Sequence, residues 1–324
     1  MKSFDERLAA LREAVAEPTT PDARKLVMRA LAGKNGLFIS TAIPALTELP
    51  DLLERLGPAF ERLCHDANKR DPQCTGKTAI AKCLRDAETG DDDMFLRGAR
   101  YVQHEPVWGG KVDTAAELRG VCMMALAERQ HPRAMAEAAE GLADPEVATR
   151  TAAARAIAAS GNVEVGEPLL RLRIASGEPD PDVLGECLLA LLQLAPREGL
   201  PFVAERLRSR DETIVEAAAL ALGESRLADA LAPLRERVEL DVMSGRRSVL
   251  MLGIAMLRTE AAWAALLEWI EDGSRGEAKD ALQALATFSH DERLAAQVRA
   301  AVDGRPDDVL NGALSELFGA HEVS

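Results

Sequence analysis

Aromatic residues are scarce in this chain of 324 residues: they make up 3% of it, with a single tyrosine and three tryptophans. Hydrophobic residues nevertheless account for 47% of the sequence, so the core must consist mainly of Ala, Leu, Val and Ile. Strands are enriched in aromatic and β-branched residues, whereas Ala and Leu are strong helix formers. The composition therefore favours close packing of helix on helix over a sheet.

Positive charge is also in the minority. The chain has 39 Lys and Arg against 53 Asp and Glu, which gives a formal net charge of -14. Such a charge repels phosphate backbones and anionic membranes unless a local patch reverses it. We therefore expect neither nucleic acid nor a membrane as a partner.

Disulfide and membrane signals are missing as well. The five cysteines are an odd number without C-x-x-C spacing, which is typical of free thiols in a reducing compartment. The first residues have no hydrophobic signal core and instead predict an amphipathic helix capped by Ser3 with Glu6. The longest apolar run, Val249–Leu257, is far shorter than the roughly 20 residues of a membrane span. We expect a cytoplasmic protein that is a monomer.

Signatures of catalysis and metal binding are weak. There is no G-x-S-x-G motif, and Cys64, His65, Cys74 and Cys83 lack the paired spacing of zinc ligands. The segment 74–78, C-T-G-K-T, ends like a phosphate-binding loop, but an aspartate stands where that motif needs its first glycine. We interpret it as a helix start with an exposed lysine, Lys77, and predict no catalytic residue, no metal and no cofactor.

One stretch, Arg210–Ser225, has the pattern of a buried helix. Asp211 is placed to cap the first N–H groups, and the following residues are almost wholly apolar. Gly223 is placed to end the helix in a left-handed conformation. Because the helix is apolar on nearly all sides, neighbouring helices must cover it.

Similar stretches recur along the chain. A pair formed by a small and a larger residue repeats about every 30 to 40 residues, which is the period of two-helix solenoid repeats. Several units also open with an acidic residue, often a Pro and then a β-branched residue. These openings are Asp144-Pro145-Glu146-Val147, Asp180-Pro181-Asp182-Val183 and Asp211-Glu212-Thr213-Ile214.

With these openings and the Ala-rich segments 152–161 and 217–225, the sequence resembles the HEAT-repeat family, in particular the short bacterial HEAT-like repeats also found in phycobilisome lyases. The resemblance covers roughly residues 113 to 319. It implies an all-α, right-handed superhelix of about eight or nine helical pairs with a concave face, as in armadillo-type folds. Members of this family are mostly protein-binding scaffolds, and a few are enzymes.

The first third departs from this pattern. The segment Leu37–Leu49 predicts an irregular inner helix containing Pro44, and Asp51–Lys69 predicts a long outer helix. We therefore divide one continuous solenoid into irregular repeats with an insertion at 1–112 and regular repeats with a C-terminal cap at 113–324. The insertion itself covers residues 103–113. Extra length in one repeat usually forms a loop on one face, often the binding face.

The insertion contains the candidate binding residues. Trp108 stands between a proline and two glycines, and either burial under the loop or exposure as an interface anchor fits this setting. The predicted partner-binding residues are Tyr101, His104, Glu105, Trp108 and Lys111. The pairs His104-Glu105 and His321-Glu322 also resemble those of HEAT-repeat di-iron hydroxylases, but one lies in a loop and the other in the tail.

We conclude that the chain is a non-catalytic scaffold or adaptor that binds a protein or peptide on its concave face. Two alternatives stay open. A bilin-lyase-like or chaperone-like enzyme would need basic residues for propionates in a concave pocket. An enzyme similar to HEAT-like DNA glycosylases would need a basic groove, for which the densest basic positions are Arg246-Arg247, Lys69-Arg70, and Arg97 with Arg100.

Overall fold

The computed structural model describes residues 3–240, 244–305 and 307–319. It divides into two compact units, Met1–Gly161 (unit 1) and Asn162–Ser324 (unit 2). Apart from one short hairpin, the regular structure in the described ranges is helical, so the predicted all-α fold is confirmed. The sequence-based division at residues 112 and 113 concerns regularity and stays a prediction.

Unit 1 consists of an N-terminal helix followed by helical pairs. The pairs are α2 with α3, α4 with α6, α7 with α8 and α9 with α10, and α5 is a single turn between α4 and α6. The bounds are α1 (Phe4–Ala16), α2 (Pro21–Leu31), α3 (Gly36–Ala42), α4 (Leu56–Cys64), α5 (Ala67–Arg70), α6 (Thr75–Asp86), α7 (Asp92–Ala99), α8 (Ala116–Glu128), α9 (Ala134–Gly141) and α10 (Val147–Ser160). Short 3-10 segments lie at Ile43–Thr47, Pro50–Arg55 and Pro72–Cys74, and a hairpin of β1 (His104–Val107) and β2 (Gly110–Asp113) separates α7 from α8.

In its described residues, unit 2 is a regular series of five pairs, α11 with α12 through α19 with α20. With the four pairs of unit 1, this agrees with the predicted eight or nine. The bounds are α11 (Val163–Ala175), α12 (Pro181–Leu194), α13 (Pro196–Arg206), α14 (Glu212–Ser225), α15 (Leu231–Leu240), α16 (Ser244–Met256), α17 (Glu260–Asp272), α18 (Arg275–Ala286), α19 (Glu292–Asp303) and α20 (Asp308–Phe318), with a 3-10 turn at Ala228–Ala230.

The second helices of successive pairs pack directly on one another, from α12 through α14 and α16 to α18. Small residues allow this close approach. A Cβ atom added to Gly223 would lie 2.4 Å from the carbonyl oxygen of Gly253, and one added to Gly253 would lie 2.5 Å from that of Ala219. The Ala-rich inner helices predicted from the sequence therefore bring backbone against backbone.

The predicted end of α14 at Gly223 is wrong. The helix continues to Ser225, and Arg226 takes the left-handed conformation with φ of 56°. Gly223 is buried inside the helix, where its missing side chain makes room for α16. Gly223 therefore allows close packing against the neighbouring helix and does not terminate its own helix.

Most predicted helix starts are confirmed. Ser3 and Glu6 form a reciprocal capping box, and Asp180 and Asp211 accept hydrogen bonds from the first free N–H groups of α12 and α14. The opening at Asp144 differs, because α10 begins only at Val147; Asp144 accepts hydrogen bonds from the Glu146 backbone N–H, which precedes the helix, and from Arg119.

The long outer helix predicted over Asp51–Lys69 is also wrong, since this segment is broken. It forms a 3-10 segment, then α4, then α5 after Asp66, whose φ is 53°. The segment Leu37–Leu49 agrees better with its prediction: α3 ends at Ala42 and Pro44 lies in the 3-10 turn that follows.

Ion pairs connect neighbouring pairs of helices at a separation of about one repeat. Partners lie 32 to 37 residues apart in the chain. These pairs are Glu61 with Arg97, Lys82 with Glu117, Arg100 with Glu137, Arg235 with Glu268, Arg247 with Asp280, and Arg275 with Asp307. We call this set the ion-pair ladder.

Among the residues that the structure describes, no helix has both the length and the apolar character needed to cross a bilayer.

Candidate functional site

The predicted insertion loop is a β-hairpin. His104 pairs with Asp113, Glu105 with Val112, Pro106 with Lys111 and Val107 with Gly110 in antiparallel register. Trp108 and Gly109 form the connecting turn, and Gly109 has φ of 91°, a conformation that glycine adopts without strain. The two glycines after Trp108 were the sequence signal for this turn.

Asp113 holds the base of the hairpin. Its carboxylate accepts hydrogen bonds from the backbone N–H groups of Gln103 and Ala115, both at 3.0 Å, and from Arg119 at 2.6 Å. Burial alone would raise the pKa of Asp113, but the backbone hydrogen bonds and Arg119 outweigh it and lower the pKa below its ordinary value. The two ends of the hairpin are thereby joined through one charged group.

Glu105 fixes the hairpin to the helix behind it. Its carboxylate accepts hydrogen bonds from the Gln73 backbone N–H at 2.6 Å, from Gln103 Nε2 at 2.7 Å and from Thr114 Oγ1 at 2.8 Å. Burial opposes ionisation, but these donors prevail and lower the pKa of Glu105. Glu105 therefore has a local structural role in addition to the partner contact predicted for it.

The hairpin is attached to the start of α6, where a charged pair is completely buried. Asp71 and Lys77 are both 0% exposed, with Nζ and Oδ2 2.8 Å apart. The Asp71 carboxylate also accepts from the N–H groups of Gly76 and Lys77, at 2.6 and 3.0 Å, and Gln103 Nε2 donates to the Asp71 carbonyl at 2.8 Å.

The predicted exposed lysine is thus wrong. The C-T-G-K-T segment does place N–H groups and an amine around an anion, but the anion is the protein's own Asp71 carboxylate. Space at this point is tight, because a Cβ added to Gly36 would lie 1.9 Å from Asp71 Oδ1. The carboxylate fills the place that a bound phosphate would need.

The other predicted site residues differ in exposure. Tyr101 is half-buried, with its ring centroid 5.2 Å from Lys77 Nζ, and burial raises the pKa of its hydroxyl. His104 and Lys111 are exposed and share one face with Pro106, since residues paired in register lie on the same side. The structure thus brings the five predicted residues to one hairpin and its base.

Trp108 is fully exposed at the hairpin tip, with a relative accessible surface of 104%. Of the two alternatives that the sequence left open, the structure shows exposure. Three exposed valines accompany the indole, which sequence reasoning missed because strand alternation was not recognised there. They are Val102, Val107 and Val112.

Comparison with known proteins identifies repeats of a known family in part of the chain. The family model of HEAT repeats matches residues 168–255, which lie within the regular helical pairs of unit 2. This segment therefore contains HEAT repeats. A search of curated proteins finds no significant match.

Several solved structures are similar to this chain. The CpcE and CpcF complex of phycocyanin lyase from Nostoc sp. PCC7120 has 17% identity and a TM-score of 0.37, covering 78% of this chain and 92% of that one. Human deoxyhypusine hydroxylase with glycerol has 18% identity and a TM-score of 0.32, covering 85% and 99%. The Pds5-Scc1 complex has 11% identity and a TM-score of 0.30, covering 98% and 72%. None of these similarities assigns an activity to this chain.

Two of the basic positions singled out in the sequence have acidic partners. Arg247 is buried with Asp280, with Nη2 and Oδ2 2.7 Å apart, and Arg97 pairs with Glu61. In the described ranges, no group of three His, Cys, Asp or Glu side chains converges as a metal site. The pair His321-Glu322 lies outside the described residues.

Proposed function

We propose that this protein is a non-catalytic scaffold or adaptor that binds a protein partner on the concave face of its repeats, with the hairpin at residues 104–113 as a contact point. The observation that carries the proposal is the complete exposure of Trp108. Trp is the residue type most enriched among those that dominate the binding energy of protein interfaces.

The rigidity of the hairpin supports this proposal. A flexible loop loses conformational freedom when it binds, whereas a preorganised one does not. Here Glu105 and Asp113 together accept six hydrogen bonds that fix both strands to unit 1. The indole is therefore held in solvent by a hairpin whose base is fixed by partly buried hydrogen bonds, with His104 and Lys111 on the same hairpin for polar contacts.

The test is a comparison of proteins captured from a native lysate by three forms of the full chain: wild type, Trp108→Ala and Leu172→Ala. Leu172 is a matched control, since it is 64% exposed and lies on α11 of unit 2, whereas the hairpin belongs to unit 1. We expect at least one protein to bind wild type and Leu172→Ala but not Trp108→Ala. A photo-reactive residue at position 108 should form a covalent product with the same protein.

Both variants should remain as helical as wild type by circular dichroism, because each removes an exposed side chain. If all three forms capture the same proteins, the hairpin is not the contact point.

A further inference from the structure

A second surface of unit 1 has the features of a peptide-binding groove. It lies between the 3-10 segment Pro50–Arg55 with the first turns of α4 on one side and α7 on the other, and its volume is about 1040 Å³. The apolar residues Leu53, Pro58 and Met94 are part of its lining. Gly57 leaves additional room, since a Cβ added there would meet no atom within 4 Å.

The rim of this groove is strongly acidic. One guanidinium, that of Arg97, faces it and is already paired with Glu61. In the described part of the chain, Glu54 and Asp93 are exposed and form no ion pair. The carboxylates that line the groove are Asp51, Glu54, Glu61, Asp91 and Asp93.

The groove is separate from the hairpin, because the two surfaces lie at opposite ends of α6. The hairpin contacts Asp71 and Gln73, just before α6 begins, whereas the groove includes Leu84, Thr89 and Gly90 at and beyond its C-terminal end. A helix of 12 residues is about 18 Å long at 1.5 Å per residue. A ligand in the groove therefore does not depend on Trp108.

We propose that this groove binds a short basic segment of a partner protein. An apolar side chain of the segment packs against the apolar lining residues, and its Lys or Arg side chains lie against Glu54 and Asp93. Charge complementarity selects this occupant, since an acidic or neutral segment would leave the rim carboxylates unpaired. Single exposed ion pairs contribute little, so binding requires both the apolar contact and several charges and weakens with added salt. The proposal goes beyond the function assigned to the hairpin.

The test starts with a library of random nine-residue peptides displayed on phage and selected on the immobilised full chain. We expect enrichment of sequences that place several Lys or Arg residues around one apolar residue. The affinity of the most enriched peptide is then measured by fluorescence anisotropy at low and high salt.

Two variants test the groove by different means. Gly57→Trp fills it without changing charge and should weaken the peptide at least about tenfold. Glu54→Gln with Asp93→Asn removes two exposed carboxylates and should weaken it about fivefold at low salt, an order-of-magnitude expectation for two exposed pairs. Because neither Glu54 nor Asp93 is buried, the second variant tests the proposal even if the first fails to fold.

The control Glu13→Gln with Glu224→Gln removes the same charge from exposed positions on α1 and α14 and should bind like wild type. Trp108→Ala should also bind like wild type, which separates this proposal from that for the hairpin. Failure to enrich basic peptides, or an affinity that neither groove variant changes, would overturn the proposal.

Discussion

At the scale of the residue, Lys77 stands out because its charged side chain is completely buried in unit 1. Asp71 is its partner at 2.8 Å. A buried ion pair contributes little net stability compared with well-packed apolar residues, but removal of one partner leaves the other charge unpaired in a medium of low dielectric.

Replacement of this lysine should therefore be costly. We expect Lys77→Met to lower the free energy of unfolding by about 3 to 5 kcal/mol, since it leaves the buried Asp71 carboxyl group without its ionic partner. Urea denaturation followed by circular dichroism measures this change.

Lys82→Met is the control, because Lys82 lies on the same helix and its side chain is 48% exposed, with Glu117 as partner. This substitution should change the free energy of unfolding by less than about 1 kcal/mol. If both variants lower the free energy of unfolding equally, removal of Lys77 from the buried pair with Asp71 costs no more than removal of an exposed lysine.

Glu105 should make stability depend on pH. Its pKa is lowered in the folded protein, so the unfolded chain takes up a proton more readily and protonation favours unfolding. The contribution of Glu105 is present above its unfolded pKa, about 4.3, and is lost as the pH falls through that value and then through the lower folded pKa. Glu105→Gln should therefore be less stable than wild type at pH 7, and the difference should shrink at pH 4 and below.

The measurement is urea denaturation of both proteins across this pH range. Glu117→Gln is a suitable comparison, since Glu117 is 64% exposed and its only ion pair is with Lys82 in the described structure. A difference between wild type and Glu105→Gln that stays constant from pH 7 to pH 3 would contradict the assignment.

At the scale of the element, replacement of glycine by alanine should change the free energy of unfolding in opposite directions at two positions in inner helices. Gly223→Ala places a methyl group 2.4 Å from Gly253 and should lower the free energy of unfolding by about 1 to 3 kcal/mol, the cost of overpacking. Gly185→Ala in α12 meets no atom within 4 Å and should raise it by about 0.5 to 1 kcal/mol. Thermal and urea denaturation of both variants check the signs.

These glycines also show how far the sequence could predict the fold. Repeat spacing and caps such as Asp211 are local, so they indicated the helices and most of their starts. The role of Gly223 depends on α16, which is some thirty residues further along the chain, and a single sequence does not show that contact. A glycine near a helix end has the same appearance whether it terminates the helix or admits a neighbour.

The sequence was sufficient to predict which residues belong to the candidate site, but not their burial or their hydrogen bonds. The extra length and the unusual residues around Trp108 indicated an insertion, and the structure places the predicted residues together there. The burial of Lys77 and the hydrogen bonds of Glu105 were not predictable, because both depend on residues distant in the chain: Gln73 lies 32 residues from Glu105, and Gly36 packs against Asp71, the partner of Lys77.

At the scale of the whole molecule, the contacts join mainly neighbouring elements. In such repeat proteins, stability is approximately a sum of terms within repeats and between adjacent ones. We expect the effect of Gly223→Ala to stay local: hydrogen exchange should accelerate in α12, α14 and α16 and stay close to wild type in α3, α6 and α8. Exchange measured by mass spectrometry after peptic digestion tests this.

For Lys77→Met we expect the opposite distribution: hydrogen exchange should accelerate in α3, α6 and α8 and stay close to wild type in α12, α14 and α16. Uniform acceleration along the chain in either variant would show that the molecule unfolds as a single cooperative body.

The ion-pair ladder has a consequence for how such a chain can change in length during evolution. Each rung joins one helical pair to the next, for example Arg100 to Glu137 and Arg247 to Asp280. The order of the charges differs between rungs, since Glu61 precedes its base Arg97 whereas Arg100 precedes its acid Glu137. Loss of α7 with α8 would therefore leave two carboxylates, those of Glu61 and Glu137, at one junction. The ladder thus restricts which helical pairs can be lost without leaving like charges together.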